Sequence, residues 1–263
     1  MTALSDLELQ RARWRRARAT GHLLDADDSA FAKSSLARRL DKVAARMLLL
    51  PSDPELVSAP TDEALLDRLD EAAKEWGSAH HVGNLWGFGK TATADGACLF
   101  GYDNSSAGPW NGYLCLRSDG GLDVGLGTRV FWARDDDKWF GLSAIVARVW
   151  CALEVHAAIS TLQRADPGEV TLALVDTEGS VLGGLAEGWA EPFAGFGSEP
   201  SRCRNANVLL RLELEALPTA ENAQDLAFRL GALIENAWGY TLCRFIARKG
   251  PLEGQFDWRP AAC

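Results

Sequence analysis

Apolar positions in the first third of the chain recur at helical spacing. Leu36, Leu40, Val43 and Met47 follow an i, i+4, i+7, i+11 pattern, which places them on one buried stripe and predicts a helix beginning after Asp28 and ending at Pro51. The same spacing joins Leu65, Leu69, Ala72 and Trp76, so another helix is predicted from about Thr61 to Gly77. An earlier one is marked by its start. Ser5-Asp6-Leu7-Glu8 forms a capping box flanked by Leu4 and Leu9 as a hydrophobic staple, and Gly21 is a natural stop. Three amphipathic helices with short connections predict a small antiparallel helical subdomain over residues 1–77.

Beyond Gly77 the helical period gives way to short alternating runs rich in Gly and aromatic residues. Ala97 to Tyr102, Tyr113 to Arg117 and Leu122 to Leu126 read as strands, the last two joined through Ser118-Asp119-Gly120-Gly121, whose glycines accept positive φ. Arg129 to Ala133 is a further predicted strand. Asp135-Asp136-Asp137 is expected to cap a long helix with Leu142, Val146, Val149, Leu153 and Ala157 on its inner face. Asp166-Pro167-Gly168 breaks that helix. Val170 to Val175 and Ser180 to Leu185 flank Asp176-Thr177-Glu178-Gly179 as a predicted second hairpin. Trp189 to Arg204 reads as a long irregular loop. Asn207 to Ala216 alternates apolar and polar positions, the pattern of a strand with one wet face. Thr219 precedes a helix closed by Gly239, and Tyr240 to Ala247 is a predicted last strand. The predicted fold is therefore α+β, with antiparallel or mixed sheets and long packed helices over residues 78–263, preceded by the helical subdomain.

Composition narrows the classes. The 263 residues are 47% hydrophobic and 24% charged, which suits a soluble chain with a sizeable core and excludes disordered or fibrous classes. No uninterrupted apolar run approaches the roughly 18 residues that mark a membrane span, and no secretory signal is visible at the N-terminus. Six cysteines are scattered with no closely spaced pair. Reduced thiols, a cytoplasmic address and no structural metal are expected. The adjacent His80 and His81 would point apart on a strand and make a poor chelating pair.

Candidate chemistry is sparse. Asn84-Leu85-Trp86-Gly87-Phe88-Gly89-Lys90-Thr91 resembles a phosphate loop, in which Lys90 and Thr91 would be the phosphate-binding residues. The first glycine of that pattern is Asn84 here, and Asp95-Gly96 interrupts any following helix. A Gly/aromatic surface loop is the expected reading. Asp136 and Lys138, with Asp123 upstream, echo the acid pair and lysine of metal-dependent nucleases, against which stands the capping role. Gly195-Phe196-Gly197-Ser198 does not match a nucleophile elbow. His156 lies near the inner face of its helix with no visible partner, and Glu213 and Glu215 share the wet strand face. No catalytic residue, metal ligand or cofactor site is assigned.

Charge and aromatic distribution point to binding. The net charge is −9, against generic affinity for phosphate backbones. Residues 1–50 nevertheless carry ten basic side chains against six acidic ones, leaving the remainder at −13. Arg11, Arg15, Arg16 and Arg18 on the first helix are the candidate nucleic-acid contacts, and the same polarity suits docking onto an acidic protein or another copy of the chain. Ten tryptophans are present. Trp110, Trp189 and Trp258 fall in predicted loops and are the candidate partner-binding anchors.

The Tyr113-Leu114-Cys115-Leu116-Arg117-Ser118-Asp119-Gly120 hairpin, the long helix around Leu153, and Leu209 to Leu214 leading to Ala237-Trp238-Gly239-Tyr240 together resemble the C-terminal region of bacterial Schlafen/AlbA-type putative DNA-binding proteins. The likeness covers about the last 150 residues. It implies an accessory or sensing domain and transfers no site residues, because the family's nucleotide-binding signature belongs to an N-terminal domain with no counterpart here. The expected function is a non-catalytic binding protein of a bacterial cytosolic complex, acting through a protein partner or self-association. The alternatives are a metal-dependent nuclease or NTPase, and a nucleic-acid-binding regulator using the first helix.

Overall fold

The computed structural model describes residues 36–52, 62–80, 85–87, 89–93, 96–102, 109–117, 120–134, 136–160, 167–183 and 201–240. The predicted first helix, most of the loop after Trp189 and the predicted last strand beyond Tyr240 lie outside them.

Ala45–Pro51 is a strand, β1, and not the helix that the spacing of Leu36, Leu40, Val43 and Met47 predicts. All seven of its residues are buried, and it occupies an interior position, third from one edge, in a seven-stranded sheet. A strand covered on both faces reads as a continuous apolar run, which periodicity alone does not separate from a helical segment. The short turn Ala37–Arg39 before it is 3-10 helical. Ala45–Pro51 is thus a member of the large sheet.

Helix α1, Glu63–Ala79, starts where Asp62 accepts a hydrogen bond from the Ala64 amide (2.9 Å). Its stripe of Leu65, Leu69, Ala73 and Trp76 is buried. Strands β2 (Gly89–Ala92), β3 (Gly96–Tyr102), β4 (Trp110–Arg117) and β5 (Leu122–Leu126) follow as an antiparallel run. The β4–β5 turn forms as predicted, with Gly120 at φ 79 and its amide bonded to the Arg117 carbonyl.

The aspartate triplet does not cap a helix. Phe131–Arg134 (β6) and Asp137–Gly141 (β7) pair antiparallel, and Asp136 sits in the turn between them at φ 67, a left-handed conformation that Asp tolerates better than most residues. Burying Trp139 and Phe140 holds this segment extended. Helix α2, Leu142–Ile159, begins only after Gly141, with no side-chain cap.

Strand β8 (Gly168–Val175) joins the large sheet between β1 and β10 (Asn207–Leu214), whereas β9 (Val181–Gly183) pairs parallel with β7 in a separate three-stranded sheet. The Asp176–Gly179 turn exists, with Asp176 at φ 58 and Gly179 at φ 70, but its flanking strands enter different sheets instead of forming a hairpin. Residues 203–206 hold the turn in place through bonds from Thr177 to the carbonyls of Ala206 and Asn205. Helix α3, Ala223–Ala237, ends at Gly239 (φ 86), where the Tyr240 amide reaches the Glu235 carbonyl.

The fold is α+β. The large sheet runs β10-β8-β1-β5-β4-β3-β2, antiparallel throughout, with α1, α2 and α3 over one face. Met47, Leu49, Val124, Leu114, Leu99 and Leu172 point into that core. Helix α2 is long and apolar enough by length and composition to cross a membrane, yet 78% of it is buried inside the chain, packed against α1 and α3 as a core helix is.

Candidate functional site

The face of the large sheet turned away from the helices carries the most concentrated polar chemistry among the described residues. Arg46 projects there from β1 and Asp123 from β5, both buried. Arg46 donates through Nε to Asp123 Oδ1 (2.9 Å) and through Nη2 to Oδ2 (2.6 Å), the two-pronged geometry that suits a guanidinium and a carboxylate. Tyr113 on β4, fully buried, donates its hydroxyl to Asp123 Oδ1 (3.0 Å).

Strand register creates this meeting. Arg46 and Tyr113 lie opposite Gly125 on its two sides, and Asp123 is the next residue of β5 on the same face. Burial alone would pull the Arg46 guanidinium down, but the Asp123 charge and the bonds from Asp123 and Tyr113 raise it above its ordinary value. Burial first, then the Asp123 charge, pushes the Tyr113 phenol well up. Asp123 is thereby engaged on both oxygens.

Two thiols adjoin it. Cys98 and Cys115 are directly paired across β3 and β4, and Cys115 is opposite Asp123 on the other side. Burial, then the bond with Cys98, raises the Cys115 thiol well above its usual range. Trp110 belongs to the same cluster: it is buried, stacked on Phe100 at 4.2 Å, with the Arg39 guanidinium 4.9 Å from its ring centre. It opens β4 and fills the sheet's far side, so the expectation of an exposed loop anchor is corrected for Trp110. Trp189 and Trp258 lie outside the described residues, as do Arg11, Arg15, Arg16 and Arg18.

Lys90 and Thr91 lie on β2, the edge strand paired with β3, and not on a loop entering a helix. The Lys90 ammonium bonds to Asp67 on α1, which raises its pKa above the ordinary lysine value. Thr91 donates to the Ala92 carbonyl (3.2 Å).

Of the nuclease-like pattern, Asp123 is held by Arg46 and Tyr113 on the far face of the sheet, and Asp136 is exposed in the β6–β7 turn. Lys138 contacts Asp176 (2.7 Å) and lies 4.2 Å from the Phe131 ring centre. Lys42 joins the same carboxylate at 2.7 Å, and hydrogen bonds from Lys138 and Lys42 hold the Asp176 carboxyl below its usual range. Asp137 pairs with Arg202 (2.7 Å). These contacts tie the β6–β7 hairpin to the β8–β9 turn. Among the described residues no group of three or more His, Cys, Asp or Glu is placed to hold a metal ion.

His156 is buried, and its Nε2 lies 2.8 Å from the Gly120 carbonyl, so that nitrogen carries the proton and donates. Burial lowers its pKa below the usual histidine value. His80 packs against the rings of Trp76 and Trp150, 4.5 Å from each, and the two indoles meet edge to face at 5.4 Å.

On β10 the alternation read from the sequence is realised. Leu210, Leu212 and Leu214 lie half-buried against the helix-side core, while Arg211 and Glu213 are exposed on the opposite face. Leu209 shares that exposed face at 39% exposure, the one large apolar side chain so open among the described residues.

Sequence reasoning missed the Arg46–Asp123–Tyr113 cluster, because its members are spread over 77 residues with no local spacing. The available signal was a charged residue inside each of two apolar strand runs, of opposite sign. No family model, no curated protein and no solved structure matches this chain.

Proposed function

We propose that this chain is a non-catalytic binding protein, an accessory component of a bacterial cytosolic complex that works through protein–protein contact. One observation carries the reading. Most of the groups that the nuclease-like and phosphate-loop patterns would use are engaged within the fold, Asp123 by Arg46 and Tyr113, Lys138 by Asp176 and Lys90 by Asp67, with Asp136 exposed in the β6–β7 turn. Leu209, in contrast, stands exposed on an edge strand, with Asn207 and Arg211 on either side of it on the same face, where an apolar side chain among polar ones suits a partner. The accessory role implied by the likeness to Schlafen/AlbA-type proteins is of the same kind.

The test is a photoreactive residue at position 209 of the full chain in native cytosol, with the same residue at Lys74, on the outer side of α1, as control. A defined protein adduct from position 209 and none from position 74 is expected. Magnesium-dependent turnover of nucleic acid or nucleoside triphosphate that disappears in Lys138→Ala or Lys90→Ala would overturn the reading.

A further inference from the structure

We propose that Cys98 and Cys115 form a redox site: a peroxide joins the two thiols as a disulfide across β3 and β4, and a dithiol reductant separates them again. The site is independent of the partner-binding surface at Leu209.

Strand register brings the two sulfurs together. Cys98 and Cys115 are directly opposed in an antiparallel pair, between the regular partners Ala97–Leu116 and Leu99–Leu114. Opposed residues share a sheet face, with Cα atoms about 4.5–5.5 Å apart, and a disulfide spans about 4.4–6.8 Å between Cα atoms. Both thiols are free, and that of Cys115 bonds to Cys98. Closing the bridge must draw the Cβ atoms from about 4.5–5.5 Å to about 3.5–4.5 Å. That approach strains the bond, and strained disulfides are the readily reduced ones. The other two described cysteines are bonded elsewhere, in the helix-side core. Cys151 accepts from the Trp86 indole (3.3 Å), and Cys203 donates to the Asn205 carbonyl (3.5 Å).

Cys98 is the attacking residue, because the Thr93 hydroxyl lies 3.8 Å from its sulfur, where it can donate to a thiolate. The thiolate attacks one oxygen of hydrogen peroxide and the O–O bond breaks. The departing hydroxide takes up the Cys98 proton and leaves as water. Cys98 is now a sulfenic acid, which the Cys115 sulfur attacks. The S–S bond forms, the S–O bond breaks, and hydroxide leaves with the Cys115 proton as a second water. Two electrons pass from the thiols to the peroxide. Burial against Phe100, Trp110 and Tyr113 favours an oxidant this small.

The experiment is a peptide map of the full chain. Lys90 and Arg117 bound a tryptic peptide, residues 91–117, that holds these two cysteines and no other. Protein is treated with hydrogen peroxide in native buffer, freed of oxidant, unfolded in iodoacetamide and digested. The peptide is expected to lose two hydrogen atoms and to take up no iodoacetamide, while Cys151 and Cys203 are alkylated. Dithiothreitol in native buffer, added before unfolding, is expected to restore both alkylations. Cys115→Ala is expected to leave a sulfenic acid on Cys98 that dimedone captures, and Cys98→Ala to leave Cys115 a thiol. The wild-type map decides even where a variant fails to fold. A 91–117 peptide that stays fully alkylated, under peroxide that oxidises free glutathione in the same tube, would overturn the proposal. So would a bridge from either residue to a different cysteine, sulfinic acid on Cys98 beside an unmodified Cys115, or a bridge that dithiothreitol opens only in urea.

Discussion

Gly125 lies directly beneath the ring of Tyr113: a Cβ built on the glycine would stand 2.1 Å from Tyr113 Cε1. The missing side chain is what lets the phenol and the Arg46 guanidinium converge on Asp123 from strands on either side of β5. Gly125→Ala is therefore expected to destabilise the fold by about 1–3 kcal/mol from overpacking alone. Tyr113→Phe removes one hydrogen bond to a buried carboxylate and should cost about 1.5–3 kcal/mol. Urea unfolding checks both: the midpoint falls and the slope stays that of the parent. An alanine at 125 that leaves the midpoint unchanged would show that the ring does not rest there.

Arg46 and Asp123 are predicted to behave asymmetrically on mutation. Asp123→Ala strands a buried guanidinium, and the expected loss is about 3–5 kcal/mol. On a Tyr113→Phe background, which leaves no buried hydroxyl without its acceptor, replacing both partners with apolar residues, Arg46→Met/Asp123→Leu, removes the desolvation penalty along with the attraction. The double variant should recover most of the loss, because well-packed apolar substitutes for a buried pair are often neutral or better. Equal losses in the single and double variants would mean that the pair contributes more than its desolvation costs.

The same pair explains what the sequence made legible and what it did not. Strands with one wet face, such as β10, announce themselves by alternation, and so do helices with one buried stripe, such as α1 and α3. Strand β1 is covered on both sides, and its run of Ala, Met and Leu around Arg46 fits a helical stripe equally well. Only tertiary burial decides between them. The aspartate triplet misleads for a related reason: acidic residues suit both a helix start and a tight turn, and the burial of Trp139 and Phe140 in β7 selects the turn. The polar cluster stayed hidden because proximity in a sheet comes from register, which a single strand's sequence does not state.

Stability should fall as pH drops through the histidine range, through His156. Burial depresses its folded pKa, so the unfolded state binds its proton first. Unfolding then takes up a proton at pH below about 6.5, the ordinary histidine value, and stability declines with falling pH from there toward the depressed folded value. The contribution is fully present above that range. Urea midpoints measured from pH 8 down to pH 5 should fall for wild type, and the fall should be shallower in His156→Gln. Parallel profiles for the two proteins would count against the burial described for the ring.

Lys90 and Asp67 form an exposed pair joining β2 to α1. Exposed ion pairs contribute little, because water and salt screen them. Lys90→Ala and Asp67→Ala are each expected to leave the thermal midpoint nearly unmoved. If the lysine instead serves a nucleotide, isothermal titration with magnesium and ATP should show binding to wild type that vanishes in Lys90→Ala. The strand placement of Lys90 predicts no such binding.

The thiols offer a way to watch the fold open. Cys98, Cys115, Cys151 and Cys203 are free and buried. Burial pushes the Cys151 thiol up to about 12, although the Trp86 indole donates to its sulfur (3.3 Å). The thiolate is the reactive species, and at neutral pH such a group is ionised only on the order of one part in 10⁵. Cys151 should therefore resist alkylation in native protein, and burial alone should shield the other three, with modification limited by opening. Peptide mapping after timed exposure to iodoacetamide in rising urea checks this. Cys98 and Cys115 lie on the sheet's far face and Cys151 lies in the helix-side core, so simultaneous labelling means that the two faces open together. Earlier labelling of Cys98 and Cys115 would instead mark β3 and β4 as a separately opening unit. Alkylation of Cys151 in native buffer at the rate of an unburied thiol would show that α2 and Trp86 do not pack as described.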